Sequence, residues 1–246
     1  MTTQVGLPDA ATRLAAVIDG RRDVWQPPPP RRAATVALLR EGADGLEVYL
    51  MRRADTMAAA AAMHVFPGGG LEASDGPVGD PASTLTAARR ELREETGVTL
   101  PEQPAPVRFG RWITPEVLPH RHDTDFFAVA LPEGQSPVLL GTEAVTADWC
   151  TPGTALTAAT DGRIGLLPPT SAALHLLAAH ATVADALAGL AALAQPGVPA
   201  LMPVPEREGG RIGWAIEDVL TRRRITDPSQ VGLPSHWRPL PPGMGS

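Results

Sequence analysis

The chain contains no lysine: all 21 of its basic residues are arginine. Alanine and proline are abundant, and we read this usage as a mark of genome composition with little functional content. There is no basic tract, and with a net charge of −6 nothing suggests an electrostatic footprint for nucleic acid. An acidic protein that acts on anionic substrates needs a metal or local arginines to offset repulsion. A single cysteine, Cys150, excludes an intramolecular disulfide and a multi-cysteine metal site. It is expected as a small buried apolar residue. No apolar run reaches membrane-span length, and the N-terminus lacks the apolar region of a signal peptide. A cytoplasmic address with no membrane partner is the expectation. At 246 residues the chain can bury a real core, as one domain or two small ones.

What is present is concentrated in Arg90 to Val98, R-E-L-R-E-E-T-G-V. Glu91, Glu94 and Glu95 stand at i, i+3 and i+4, and residues so spaced are neighbours on one helix face. Three like charges that close repel. Hard divalent cations such as Mg²⁺ remove the conflict, because they bind through carboxylate oxygens and substrate phosphates. Upstream, Phe66 to Glu72 reads F-P-G-G-G-L-E, a glycine-rich turn able to bring backbone close to phosphate. Alone, an E-x-x-E-E stripe is a solvated helix surface; the turn before it and Gly97 at its end argue against that reading.

Asp80 and Pro81 supply a helix start, with Asp capping and Pro at the first position, and Gly97 supplies the stop. Alternation predicts strands at 34–39 and 46–51 joined through Gly42 to Gly45, and further strands at 107–113, 125–131 and 145–150. Thr151-Pro152-Gly153 opens a short helix. Leu174 to Leu193 predicts two helices breaking near His180 to Thr182, and residues 198–204 and 211–216 predict a hairpin around Glu208-Gly209-Gly210. Strands and helices mixed without regular βα alternation indicate an α+β sandwich. Residues 1–33 form an N-terminal extension, with an amphipathic segment from Ala10 to Ile18. Its stiff proline run, Pro27 to Pro30, is expected to lay that segment over the core. Residues 34–246 are read as a single domain with C-terminal helices from about 166. The helices are expected to pack on the core, with a homodimer face as the alternative. The tail from Pro228 is read as disordered or strapped over the surface, and Arg222 to Arg224 as the cap of a helix C-terminus.

The glycine turn and the acidic helix resemble the Nudix hydrolase family. Its pattern G-x5-E-x7-R-E-U-x-E-E-x-G-U, with U aliphatic, is matched from Arg90 through Val98 without a break. The first half departs from it. With Gly69 as the opening glycine, the acidic slot falls on Asp75, and Gly69 lies 21 positions before Arg90 where the pattern allows 14. The extra residues fall in loop chemistry between Ser74 and Pro81.

The resemblance implies a mixed sheet sandwiched between helices, and hydrolysis of a diphosphate by water attack on phosphorus. It implies Mg²⁺ or Mn²⁺ held by Glu91, Glu94 and Glu95, with Arg90 pairing with Glu94 to hold that carboxylate in position. Gly69, Gly70, Arg53 and Arg121 are the expected substrate contacts. A carboxylate from outside the motif often completes such a site; Glu143 is the candidate base, with Asp123 and Asp125 competing. Glu72 and Asp75 are expected to be structural. His64, His120 and His122 lie near the site, where local hydrogen bonding is the expectation for each.

The segments Trp112 to Pro115, Pro119 to Phe127, His64 to Gly69 and Pro168 to Thr170 are similar to the acyl-CoA diphosphatase branch of that family. This implies CoA or acyl-CoA cleaved to 3′,5′-ADP and a phosphopantetheine. CoA-type members often carry L-L-T-x-R-[SA]-x3-R-x3-G-x3-F-P-G-G. Arg53 and Ala54 fit it, but the second arginine slot holds Ala58 and the glycine slot holds Ala62. The change removes a bidentate phosphate donor; Arg52, Arg108 and Arg121 are the candidates to replace it. ADP-ribose, NADH and dinucleoside polyphosphates remain as alternative substrates. A non-catalytic nucleotide sensor is the other reading, and the retention of all three acids argues against it.

Overall fold

A computed structural model describes residues 7–56, 60–195 and 197–237. The slot at Ala58 therefore lies outside the described residues. Long alternating strands form the centre of the molecule: β1 (Arg31–Gly42), β2 (Gly45–Arg53), β5 (Val107–Ile113) and β6 (His122–Ala130). β1 and β2 are antiparallel across a tight turn, with Gly42 opposite Gly45. β1 and β6 run parallel, from Arg31 beside His122 to Leu39 beside Ala130.

Shorter strands extend this centre. β3 (Met63–Val65) and β7 (Ala144–Cys150) both pair with β2, and β8 (Gly165–Leu166) pairs with β3. β4 (Gly68–Gly70) pairs with the first part of β1. On the far side β9 (Ala200–Glu208) runs parallel to β5, followed by β10 (Arg211–Asp218) and β11 (Arg223–Ile225). Among the described residues these strands form one mixed sheet.

Period-2 alternation gives the sheet two apolar faces. Val36, Leu38, Tyr49, Met51, Phe127 and Val129 face one way, onto Ala87, Ala88 and Leu92 of α2 (Pro81–Thr96). Ala37, Leu39, Val48, Leu50 and Ala128 face the other way, onto α4 (Pro168–Ala178) and α5 (Val183–Leu193). Alanines on α2 let its backbone approach the sheet, and burying Leu92 alone is worth about 1.5–3 kcal/mol. This is the expected α+β sandwich. The apolar residues of α4 and α5 go to the core, and α3 (Pro152–Thr160) adds Ala155 to it.

The helix carrying the acids forms for local reasons. The Asp80 side chain accepts from the Ala82 N–H, Pro81 takes the first position, and Gly97 closes the end in the left-handed region, at φ +73°. The N-terminal extension is laid over the core as expected. α1 (Ala10–Ile18) is capped by Asp9, and Arg13 donates to the carbonyl of Val117 at 2.8 Å. Trp25 is buried and its Nε1 donates to the carbonyl of Glu116 at 2.6 Å.

Several elements differ from the sequence reading. α4 begins at Pro168, because Pro168 and Pro169 pre-set φ for its first turn, ahead of the apolar repeat that starts at Leu174. Asp123 and Asp125 lie within β6, which starts at His122. Arg222 to Arg224 cap no helix: the chain turns at Arg222, φ +55°, into β11. As far as Trp237 the tail is ordered, with a 3-10 turn at Pro228–Val231 and Trp237 buried edge-on against Trp112, ring centroids 5.8 Å apart. Cys150 is a free, half-buried thiol whose pKa is pushed up to about 11, first by burial and then by Glu47 and Asp148. Among the described residues no single helix is long and apolar enough to cross a membrane.

Candidate active site

The glycine turn is clamped between β1 and α2. Gly68 has φ +156°, and a Cβ there would lie 2.3 Å from the Ala34 carbonyl oxygen, so a side chain cannot be accommodated without moving β1. This close seating points the Gly68 N–H at Glu95, whose carboxylate accepts it at 2.8 Å. At Gly69 a Cβ would come within 2.4 Å of Glu91 Oε1, whereas Gly70 faces open space. The missing side chain at Gly69 is what lets turn and carboxylate touch.

Arg90 fastens the same elements from the other side. Its Nε and Nη2 form a fork on Asp75 at 3.0 and 2.9 Å, and Nη2 also donates to the carbonyl of Gly70 at 2.9 Å. Nη1 donates to Glu91 at 2.9 Å and to Glu94 at 3.0 Å. All five guanidinium donors are thus taken up. Asp75 is buried, accepts the Glu72 N–H at 2.8 Å, and is held below the usual carboxylate range, first by the Arg90 hydrogen bonds. The expected Arg90–Glu94 pair exists, within a wider clamp that locks glycine turn, inserted loop and acidic helix into one geometry.

Charge accumulates in front of this clamp. Glu95 is raised to about 7: burial is the largest cause, the Gly68 N–H opposes it, and the charges of Glu91 and Glu143 add to it. Glu91 is also raised, again first by burial, with Arg90 opposing and Glu94 and Glu143 reinforcing. Glu143, the residue before β7, lines the same cleft as Glu91, 52 residues away in sequence. It is largely exposed and sits 3.5 Å from Arg53.

The rival acids are elsewhere. Asp123 is paired with Arg111 (2.8 and 2.7 Å) and Arg32 (2.7 Å). Asp125 is held by Arg108 (2.9 and 2.6 Å), Arg32 (2.5 Å) and the Thr84 hydroxyl (2.8 Å). Both are buried on the α2 face, where they tie β1, β5, β6 and the helix together. This also assigns Arg108 a structural place. Arg121 is likewise not brought to the cleft: it is buried, and it donates to the carbonyls of Thr114 (3.0 Å) and Pro28 (2.9 Å), which fixes the proline run.

Glu72, Glu91 and Glu143 open onto a cleft of about 640 Å³, whereas Glu94 and Glu95 are not among the residues that line it. Glu91, Glu143, the glycine turn, Arg53, Arg31 and His122 line it, and Phe66, Trp112, Ile113, Leu118 and Leu167 supply apolar wall. The sequence reading missed Arg31 and the apolar wall. Their signal was strand parity: residues 122, 124 and 126 of β6 all face the cleft.

Among the described residues no three His, Cys, Asp or Glu groups converge as a ready-made metal cage. The donors present are hard carboxylate oxygens beside an open cleft. They fit an ion of the Mg²⁺ type, which is held by one or two carboxylates and keeps water and substrate phosphate for its other positions.

The family model of the NUDIX domain matches residues 29–168, more than half of the chain. The chain belongs to the Nudix family. A NUDIX hydrolase from Alicyclobacillus acidocaldarius is similar over 65% of this chain and 96% of that one, at 26% identity and a TM-score of 0.58. A C. elegans Ap4A hydrolase is 18% identical over 66% of this chain and 96% of its own, with a TM-score of 0.41. The NUDIX domain of Shewanella oneidensis NrtR, solved with ADP ribose, is 15% identical over 53% of this chain and 78% of its own, with a TM-score of 0.42. No curated protein matches the chain. The protein is a pyrophosphohydrolase acting on nucleoside diphosphate derivatives, in a family that generally uses divalent metals.

Proposed function

We propose that the enzyme hydrolyses the diphosphate of CoA or acyl-CoA to 3′,5′-ADP and a phosphopantetheine. The observation that carries this reading is the cleft that continues from Glu91 and Glu143 along the apolar wall of Phe66, Trp112, Ile113 and Leu118. A nucleotide with a long uncharged arm beyond its diphosphate fits such a cleft, and the volume is in the usual range for small-molecule sites. The sequence similarity to the acyl-CoA diphosphatase branch supports it independently.

Glu91, Glu94 and Glu95 would hold Mg²⁺ or Mn²⁺ in this reading. The ion, when bound, spreads charge over the phosphate oxygens and lowers the pKa of a water. Arg90 touches no substrate and acts as a positioning residue: it sets Glu91 and Glu94 relative to the glycine turn. Gly69 and Gly70 bring backbone to the diphosphate, and Arg53 offsets its charge. Glu143 takes the proton of the attacking water as general base, at the exposed edge of the acid group, with Arg53 orienting it.

The test is hydrolysis of CoA, acetyl-CoA, ADP-ribose, NADH and a diadenosine polyphosphate with Mg²⁺ or Mn²⁺, with a Glu94→Gln/Glu95→Gln variant as control. Release of 3′,5′-ADP from the CoA substrates, abolished in the variant, is the expected result. Turnover of ADP-ribose, NADH or the dinucleotide alone would keep the reaction class and reject the CoA reading. Tight binding without turnover of any compound would favour a sensor.

A further inference from the structure

β1 and β6 run side by side in a parallel register that sets Arg31 beside His122 and Ala33 beside Thr124. Alternate residues of a strand face opposite sides of the sheet. Arg32, Asp123 and Asp125 meet on the α2 face, where acid and base neutralise one another. Arg31, His122 and Thr124 line the substrate cleft on the other face.

The charges on that face are unbalanced. The exposed acids of the cleft, Glu72 and Glu143, lie against Arg90 and Arg53 at 3.9 and 3.5 Å. Arg31 is exposed, and among the described residues its guanidinium has neither a carboxylate partner nor a hydrogen bond. The His122 ring also has no hydrogen-bond partner among the described residues. Its pKa is lowered, first by burial and then by the repulsion of Arg31, Arg53 and His120. Arg31 and Arg53 line the cleft with this half-buried imidazole, and cationic groups gathered in a cleft draw in anions.

We propose that Arg31 and His122, with Arg53 beside them, form a second anion subsite for a phosphomonoester carried on the ribose of the substrate. A phosphomonoester brings about −1.5 to −2 charges and three acceptor oxygens at neutral pH. The Arg31 fork can take two of those oxygens, and the His122 ring and Thr124 hydroxyl each supply one further donor. The subsite supplies from β1 and β6 the phosphate donor that the alanine in the Ala58 slot removes. The identity of the group as a 3′-phosphate rests on the CoA reading above; a 2′-phosphorylated dinucleotide would present the same chemistry at the neighbouring ribose position.

The test is calorimetric binding of 3′,5′-ADP, 2′,5′-ADP and 5′-AMP without metal, so that no turnover is needed. It uses the full-length protein and its Arg31→Ala, His122→Gln and Arg163→Ala variants. A lost charge-assisted contact typically weakens binding about 10–100-fold. The wild type is expected to bind a bisphosphate over AMP by about that factor. Arg31→Ala should lose at least tenfold of the preference and His122→Gln a smaller share. Arg163→Ala, at an exposed pair with Asp161 outside the cleft, should lose none. Preference for 2′,5′-ADP would support the subsite and count against CoA. Binding of all three within twofold, or a preference that survives Arg31→Ala, would overturn the subsite. CoA turnover by the wild type is scored separately: its absence beside an intact bisphosphate preference rejects the CoA reading and leaves the subsite standing.

Discussion

Replacing Arg90 with glutamine should separate the clamp from the chemistry. The guanidinium has an exposure of 12% and Asp75 one of 2%, so solvent screens their contact little. Removing one partner of a buried ion pair costs about 3–5 kcal/mol, because the other charge stays buried. The exposed Glu94 contact adds little, on the order of 0–1 kcal/mol. A glutamine donor returns roughly 1 kcal/mol through one retained hydrogen bond. The net loss is about 2–5 kcal/mol, which in a chain of this size lowers Tm by about 4–20 °C. The deficit should depend on pH with a definite sign. Asp75 is held below its ordinary value of 3.8 in the folded state, so its stabilisation is fully present above that pH. It is lost as pH falls through the lower folded value, and the gap between wild type and Arg90→Gln should narrow below about pH 4. An Asp75→Asn/Arg90→Gln double variant, which removes the buried anion too, should recover part of the loss. Thermal melts from pH 3 to 8 test this. A Tm within about 2 °C of wild type, or a deficit as large at pH 3 as at pH 7, would refute the reasoning.

Four further substitutions divide the site by role. Gly69→Ala forces a Cβ onto the Glu91 carboxylate, so kcat should fall at least about tenfold with a Tm shift of only a few degrees. Gly68→Ala collides with the β1 backbone and should lower both, as steady-state kinetics beside melting curves will read out. Glu143→Gln should lower kcat by roughly 10²–10⁴ with little change in stability, the range for a positioned base. Asp125→Asn should do the reverse, destabilising by a few kcal/mol through its two arginine partners; equal kinetic effects of the two would contradict the assignment of the base.

The acid-bearing helix was legible because every local signal agreed: Asp80, Pro81 and Gly97 act within a few residues of themselves, and the observed ends are Pro81 and Thr96. β5 and α1 were legible for the same reason, as an alternating run and an amphipathic one. β3, β4 and β8 span two or three residues each, too short for any period to appear. The choice among acids was hidden by parity. Asp123 and His122 are adjacent in sequence yet face opposite sides of the sheet, and nothing local states which side holds the cleft. Arg121 was misjudged on similar grounds, since its partner Pro28 is 93 residues away. Asp75 could be placed in the acidic slot by counting, but its fork with Arg90 is made by the fold of the inserted loop.

In the proposed function Glu91, Glu94 and Glu95, with Glu143, carry out diphosphate hydrolysis. The most direct measurement is kcat/KM for release of 3′,5′-ADP from CoA with Mg²⁺, in the wild type and in Glu91→Gln/Glu95→Gln. Turnover in the wild type and almost none in the variant, with both proteins equally folded, is the expected result. A folded variant that retains the wild-type rate would contradict it.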